Sequence, residues 1–152
     1  MNLSFAALTD RLESKYQELM AMTPSIAEDV PSKTPVGGVY LFSEGGAPLY
    51  TGRTKRKIAL RIRGHFNSAK DRPFAWLMTR ESTKKKATYR KTGSRAELLA
   101  DPEFFCQYEA AKTRIRKMEV RFVHEPDPVR QALLEVYVAV VSKATYNDFD
   151  TH

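Results

Sequence analysis

The 152-residue chain is poor in the features that would give away an unusual lifestyle, and each absence narrows the field. With one cysteine, Cys106, it forms no internal disulfide, so a reducing compartment is expected. Cys106 sits among aromatic residues in the pattern of a helix, and the ordinary expectation is a small buried hydrophobe. No stretch approaches the roughly 20 apolar residues that span a bilayer, and the run Leu3 to Leu8 is broken at once by Asp10 and Arg11. There are no internal repeats, and a composition that is 42% hydrophobic and 28% charged is that of one ordinary folded domain able to bury a core without staples. A cytoplasmic protein of one domain, residues 1–152, is expected.

Two segments lack acids almost entirely. Residues 53–63 hold Arg53, Lys55, Arg56, Lys57, Arg61 and Arg63 with no acid, and residues 80–95 hold seven bases against Glu81 alone. The whole chain is only +7, so the rest is net acidic. Concentrated basic segments on an acidic body suit a polyphosphate partner, because each phosphate contact releases condensed counterions. Neither segment sets a large apolar face against its bases, which argues against a membrane surface. Nucleic acid is the expected partner, with Arg53, Lys55, Arg56, Arg63, Lys84, Lys85, Lys86, Tyr89, Arg90 and Lys91 as its candidate contacts. Thr79 to Arg95 has little apolar periodicity and reads as an exposed loop or ribbon: a flap that tracks a phosphate backbone, with Tyr89 stacking on a base or packing a sugar, set somewhat ahead of a plain solvated charge run.

The centre of the chain is residues 38–65. Gly38-Val39-Tyr40 and Tyr50-Thr51-Gly52 flank Gly45-Gly46, which is what a tight loop between two antiparallel strands needs. Ile58, Ile62 and Phe66 then recur at a spacing of four, giving a helix on which Arg61 and His65, also four apart, are neighbours on one face. Elsewhere, residues 3–22 form an amphipathic helix, 24–35 a connecting loop, and 73–78 an apolar patch of open type. Asp101-Pro102 and Asp127-Pro128 are helix starts, opening helices to about Thr113 and Ser142. Met118, Val120 and Phe122 alternate as a third strand. The fold class expected is α+β, a small mixed or antiparallel sheet of at least three strands flanked by helices.

Glu135 interrupts an otherwise apolar helix. A lone buried carboxylate is costly, so a cation should face it; a salt bridge to Arg130 or to a base on the first helix is the ordinary explanation. Twelve residues on, Asn147 follows the last helix, a common place for a cap or turn residue.

The order Gly38-Val39-Tyr40, Tyr50-Thr51-Gly52, Arg61, His65 resembles the GIY-YIG nuclease family, closely over residues 37–67 and loosely over 118–149. Val39 and Thr51 stand where the family usually carries isoleucine. The resemblance implies that Glu135 is the ligand of a divalent metal, Mg²⁺ or Mn²⁺, and that Asn147 lies close to the site. The catalytic set is then Tyr40, Tyr50, Arg61, His65, Glu135 and Asn147. Hydrolysis of a phosphodiester needs a proton acceptor for water, cations on the phosphoryl oxygens and an electrophile for the leaving oxygen. The tyrosines and His65 suit the first task, Arg61 the second and a metal on Glu135 the third. A phenol is a poor base unless nearby cations, here Arg53, Lys55 and Arg61, favour the phenolate. The resemblance leaves an N-terminal helical extension, 1–36, and a basic insertion, 68–117, to set the substrate. Double-stranded DNA is the expected substrate, with a homodimer for double-strand cutting and a monomer for nicking. The rival is a nucleic-acid-binding protein that keeps the scaffold without turnover.

Overall fold

Gly45 and Gly46 both take positive φ, 58° and 81°, and join Glu44 to its partner Ala47 as a two-residue hairpin turn. The hairpin they close, β2 (Val36–Glu44) and β3 (Ala47–Lys57), is the centre of the molecule. The computed structural model describes residues 4–67, 73–85, 93–147 and 149. It is an α+β fold whose four antiparallel strands run in the order β1-β4-β2-β3, with β1 at Ser25–Ile26 and β4 at Glu119–His124. β2 is thus an inner strand, buried from Gly37 to Ser43, and β3 is an edge.

Alternation along β2 divides the core in two. Tyr40 and Phe42 face α3 (Ile58–Asn67), α4 (Pro73–Thr83) and α6 (Pro102–Arg116), packing with Ile62, Phe74, Phe104 and Ile115. Val39 and Leu41 face α2 (Leu12–Ala21) and α7 (Pro128–Ser142), packing with Leu19, Leu134 and Val138. The two aspartate-proline signals act as expected: the Asp101 carboxylate accepts from the Glu103 amide and the Asp127 carboxylate from the Arg130 amide, with proline in the first helical turn of both. Among the described residues, no helix is long and apolar enough to cross a membrane.

Several local expectations change. The N-terminal helix is two pieces, α1 (Phe5–Thr9) and α2, and the connecting loop contains β1 and a short 3-10 turn, Ala27–Asp29. The open-type patch and the start of the expected loop are one helix, α4, followed across the described residues by α5 (Arg95–Ala100). Thr79 is fully buried there, its hydroxyl donating to the Ala75 carbonyl one turn back, so a polar residue disguises a core position. Residues 73–83 and 95–116 therefore help build one face of the main core. Cys106 is exposed on α6, on the side away from Phe104 and Tyr108. α7 is buried on one side only, with Val129, Val136, Val140 and Val141 between 45% and 59% exposed.

Candidate active site

The site forms around the outer edge of β3, where α3 approaches from one face and α7 from the other. Register places Tyr40 opposite Gly52, and a Cβ on Gly52 would lie 2.3 Å from the Tyr40 hydroxyl. Gly38 answers a different crowding, since its Cβ would lie 2.1 Å from the Val123 carbonyl on β4. The two triplet glycines thus leave room, respectively, for a phenol and for a neighbouring strand.

Tyr40 is fully buried, and its hydroxyl lies 2.7 Å from His65 Nε2. Arg61 Nε donates to the same hydroxyl at 3.3 Å. The Tyr40 hydroxyl thus bridges Arg61 and His65, accepting from the guanidinium, and it donates to the imidazole in the tautomer that leaves Nε2 unprotonated. The helical spacing of four between Arg61 and His65 is what lets both reach one phenol. Arg61's terminal nitrogens make no hydrogen bond among the described residues. Tyr50 is half-buried, stacked on Phe74 with ring centroids 4.8 Å apart and set edge-on to His65 at 5.7 Å.

Electrostatics tie the α7 side to the α3 side. Burial pushes the Glu135 carboxyl above its usual range, against the pull of Arg53 and Arg61. Arg53 Nε stands 3.8 Å from the carboxylate, a loose pair with both side chains partly exposed. The cation facing Glu135 is therefore Arg53, whereas Arg130 pairs with the buried Glu125. Burial is also the largest influence on both tyrosines and raises both phenols, with the Glu135 charge adding to the rise and Arg61 opposing it. Both are phenols, not phenolates, in the free protein; desolvation outweighs the cations that the sequence suggested would favour ionisation.

Asn147 plays a different part. Its Oδ1 accepts from the Thr51 amide at 2.8 Å and its Nδ2 donates to the Thr51 carbonyl at 3.0 Å, so its carboxamide completes the ladder at the outer edge of β3. The Tyr146 amide donates to the Leu49 carbonyl just before it. Asn147 holds the strand that carries Tyr50 and Gly52, with both arms engaged by main chain.

An open cleft of about 670 Å³ lies between α3 and α7, lined by Arg53, Lys55, Arg56 and Arg61 but by neither tyrosine, His65, Glu135 nor Asn147. Arg63 is absent from it: its guanidinium donates to the Val30 carbonyl. Lys85 pairs with the α6 cap Asp101 at 2.7 Å, and Lys84 ends α4 with a φ of 60°. Lys86, Tyr89, Arg90 and Lys91 lie outside the described residues. Two neighbours escaped the sequence reading. Phe74, buried against Tyr50 and His65, was signalled only by Pro73 as a helix start; Gln131, on the cleft wall, stands one turn before Glu135.

Among the described residues no group of three or more histidine, cysteine or acidic side chains converges on a metal position. Among the described residues Glu135 is the carboxylate beside the tyrosines, and its loose 3.8 Å pairing with Arg53 leaves it able to meet a hard divalent cation whose other ligands would be water and phosphate. Comparison with protein-family models, with curated proteins and with solved structures returned no match to this chain.

Proposed function

We propose that this chain is a nuclease of the GIY-YIG type, a divalent-metal-dependent endonuclease that hydrolyses phosphodiester bonds in double-stranded DNA. The observation that carries the reading is the convergence of Arg61, Tyr40 and His65 in one hydrogen-bonded chain beside Tyr50 and Glu135, with Arg61 also lining a cleft that carries Arg53, Lys55 and Arg56.

Arg61 is anchored through Nε and offers its terminal nitrogens to two phosphoryl oxygens, a bidentate grip that holds the scissile group against the tyrosines. Glu135, only loosely paired with Arg53, would hold Mg²⁺ or Mn²⁺ through its carboxylate, and the bound ion would supply Lewis acidity at the leaving 3′ oxygen. The proton of the attacking water passes to a tyrosine oxygen as that phenol gives its own proton onward; for Tyr40 the acceptor is His65, already 2.7 Å away. A relay of this kind needs no standing phenolate, which agrees with the burial of both rings. Asn147 acts through Thr51 and is a positioning residue. The exposed single thiol of Cys106 is consistent with a cytoplasmic protein. Double-strand cutting calls for two copies, and a monomer would nick.

The test is cleavage of supercoiled and linear duplex DNA with Mg²⁺ or Mn²⁺ by wild type, Tyr50→Phe and Glu135→Ala purified in parallel. The proposal expects metal-dependent cutting lost in both variants. Wild-type binding that weakens steeply with salt, with no cut in any divalent ion, would favour the rival, a GIY-YIG-like DNA-binding protein without turnover.

A further inference from the structure

Gln131 is only 3% exposed, yet it lines the cleft. Its Nε2 donates to the Glu125 carbonyl at 2.6 Å, and because that partner can only accept, the orientation of the amide is fixed. A Cβ at Gly37 would lie 3.1 Å from Nε2, so the glycine helps make room for the amide. Oε1 accepts from no described residue and is not sealed from solvent, which leaves it able to accept from a molecule in the cleft that Gln131 lines. The charged groups around that cleft, Arg53, Lys55, Arg56 and Arg61, are all donors. A fixed amide acceptor among these cations is wasted on phosphate, which brings only acceptors.

We infer that Gln131 Oε1 reads a hydrogen-bond donor on the nucleotide whose phosphates the cleft holds, and so sets which nucleotides are accepted. The inference rests on the reading of the cleft as a nucleic-acid site, but not on cleavage there. Two parts of a nucleotide offer such a donor, the ribose 2′-hydroxyl and an exocyclic amino group of a base. Both are neutral, and both would meet the Oε1 acceptor on the wall of the cleft.

The experiment is equilibrium binding by fluorescence anisotropy, without divalent ions, of wild type, Gln131→Leu and Gln131→Lys. Lysine keeps a donor for the Glu125 carbonyl and removes the acceptor, which separates reading from mere anchoring of α7; thermal melting checks that each variant is folded. The probes share one sequence: a DNA duplex, the corresponding RNA duplex, and DNA duplexes with adenine replaced throughout by purine or guanine by inosine. Wild type is expected to lose about fivefold in affinity when the donor it reads is removed, the effect of one net hydrogen bond. An RNA-over-DNA preference identifies the 2′-hydroxyl, and a loss with purine or inosine identifies the amino group. Both variants are expected to bind all probes of one backbone type alike. Equal discrimination in all three proteins, or none in wild type, overturns the role of Gln131 while leaving the nuclease reading intact. Failure of wild type to bind any probe would overturn both.

Discussion

Replacing Gly52 by alanine perturbs the proposed chemistry without removing any functional group. The added Cβ would sit 2.3 Å from the Tyr40 hydroxyl, where ordinary contact begins at 3.4 Å, so one of them must move by about 1.1 Å. Tyr40 has little room to yield, being fully buried with Phe42 and His65 edge-on at 5.8 and 5.5 Å. A shift of that size directed away from His65 stretches the 2.7 Å contact to as much as about 3.8 Å, beyond hydrogen-bond reach. Overpacking costs about 1–3 kcal/mol, and for a chain of this length each kcal/mol lowers Tm by about 2–4 °C. A misplacement near 1 Å in a catalytic group costs about a hundredfold in rate. The assay is the single-turnover rate of DNA cleavage beside thermal melting, with Gly46→Ala as the control. Gly46 has a positive φ but nothing within 4 Å of its Cβ direction, so that variant loses stability and keeps its rate. If Gly52→Ala cleaves within about threefold of wild type, the idea that the packing of Gly52 on Tyr40 governs the reaction is refuted.

Other perturbations probe separate parts of the account. Burial raises the Glu135 carboxyl, so its favourable contribution is complete below the ordinary carboxylate range and is lost as pH rises through the raised folded value. Glu135→Gln stays neutral throughout, and its Tm relative to wild type should climb as pH rises from the ordinary carboxylate range through the raised folded value; a constant offset on that rise contradicts the shift. Asn147→Ala removes two hydrogen bonds to Thr51, lowering stability by about 1–3 kcal/mol and speeding hydrogen exchange at the Thr51 amide, whereas unchanged exchange would deny the clamp. Arg56→Ala should reduce the log–log salt slope of DNA binding by about 0.9, the share of the one phosphate that Arg56 neutralises, and Arg63→Ala should lower Tm but leave that slope alone. Equal slope changes would place Arg63 in the interface after all. Cys106 should react stoichiometrically with a thiol reagent in the native protein; a reaction that waits for denaturant would mean the thiol is covered.

What could be read from the sequence was whatever rests on local rules. Two adjacent glycines between strand patterns give the hairpin, aspartate-proline gives the starts of α6 and α7, and the spacing of four puts Arg61 and His65 on one phenol. The sheet of at least three antiparallel strands is there, with β1 added as a two-residue strand too short to carry a periodicity. α4 was hidden because its buried Thr79 and its serine- and threonine-rich end look like loop composition, and only the burial of Phe74, Ala75 and Met78 reveals its inner face.

Within the site, the sequence supplied the residues but not their partners. Nothing local distinguishes Arg61 from Arg63, and the difference lies in which side of α3 meets the Val30 carbonyl. Nor could it show that Asn147 is engaged on both arms by main chain, since its partner lies 96 residues away. The apolar run of α7 suggested a buried Glu135, yet the helix exposes Val129, Val136, Val140 and Val141 and leaves Glu135 partly exposed beside Arg53. Gln131 had one legible signal, its place one turn before Glu135, which puts both side chains along the same face of α7.

The most direct test of the central claim is single-turnover cleavage of duplex DNA with Mg²⁺ by wild type, Tyr40→Phe and Arg61→Ala, each first shown to melt as a folded protein. The account predicts metal-dependent cutting by wild type and a loss of at least about a hundredfold in both variants, because each breaks the chain from Arg61 through Tyr40 to His65. Metal-dependent cutting that survives in either variant at the wild-type rate would contradict it.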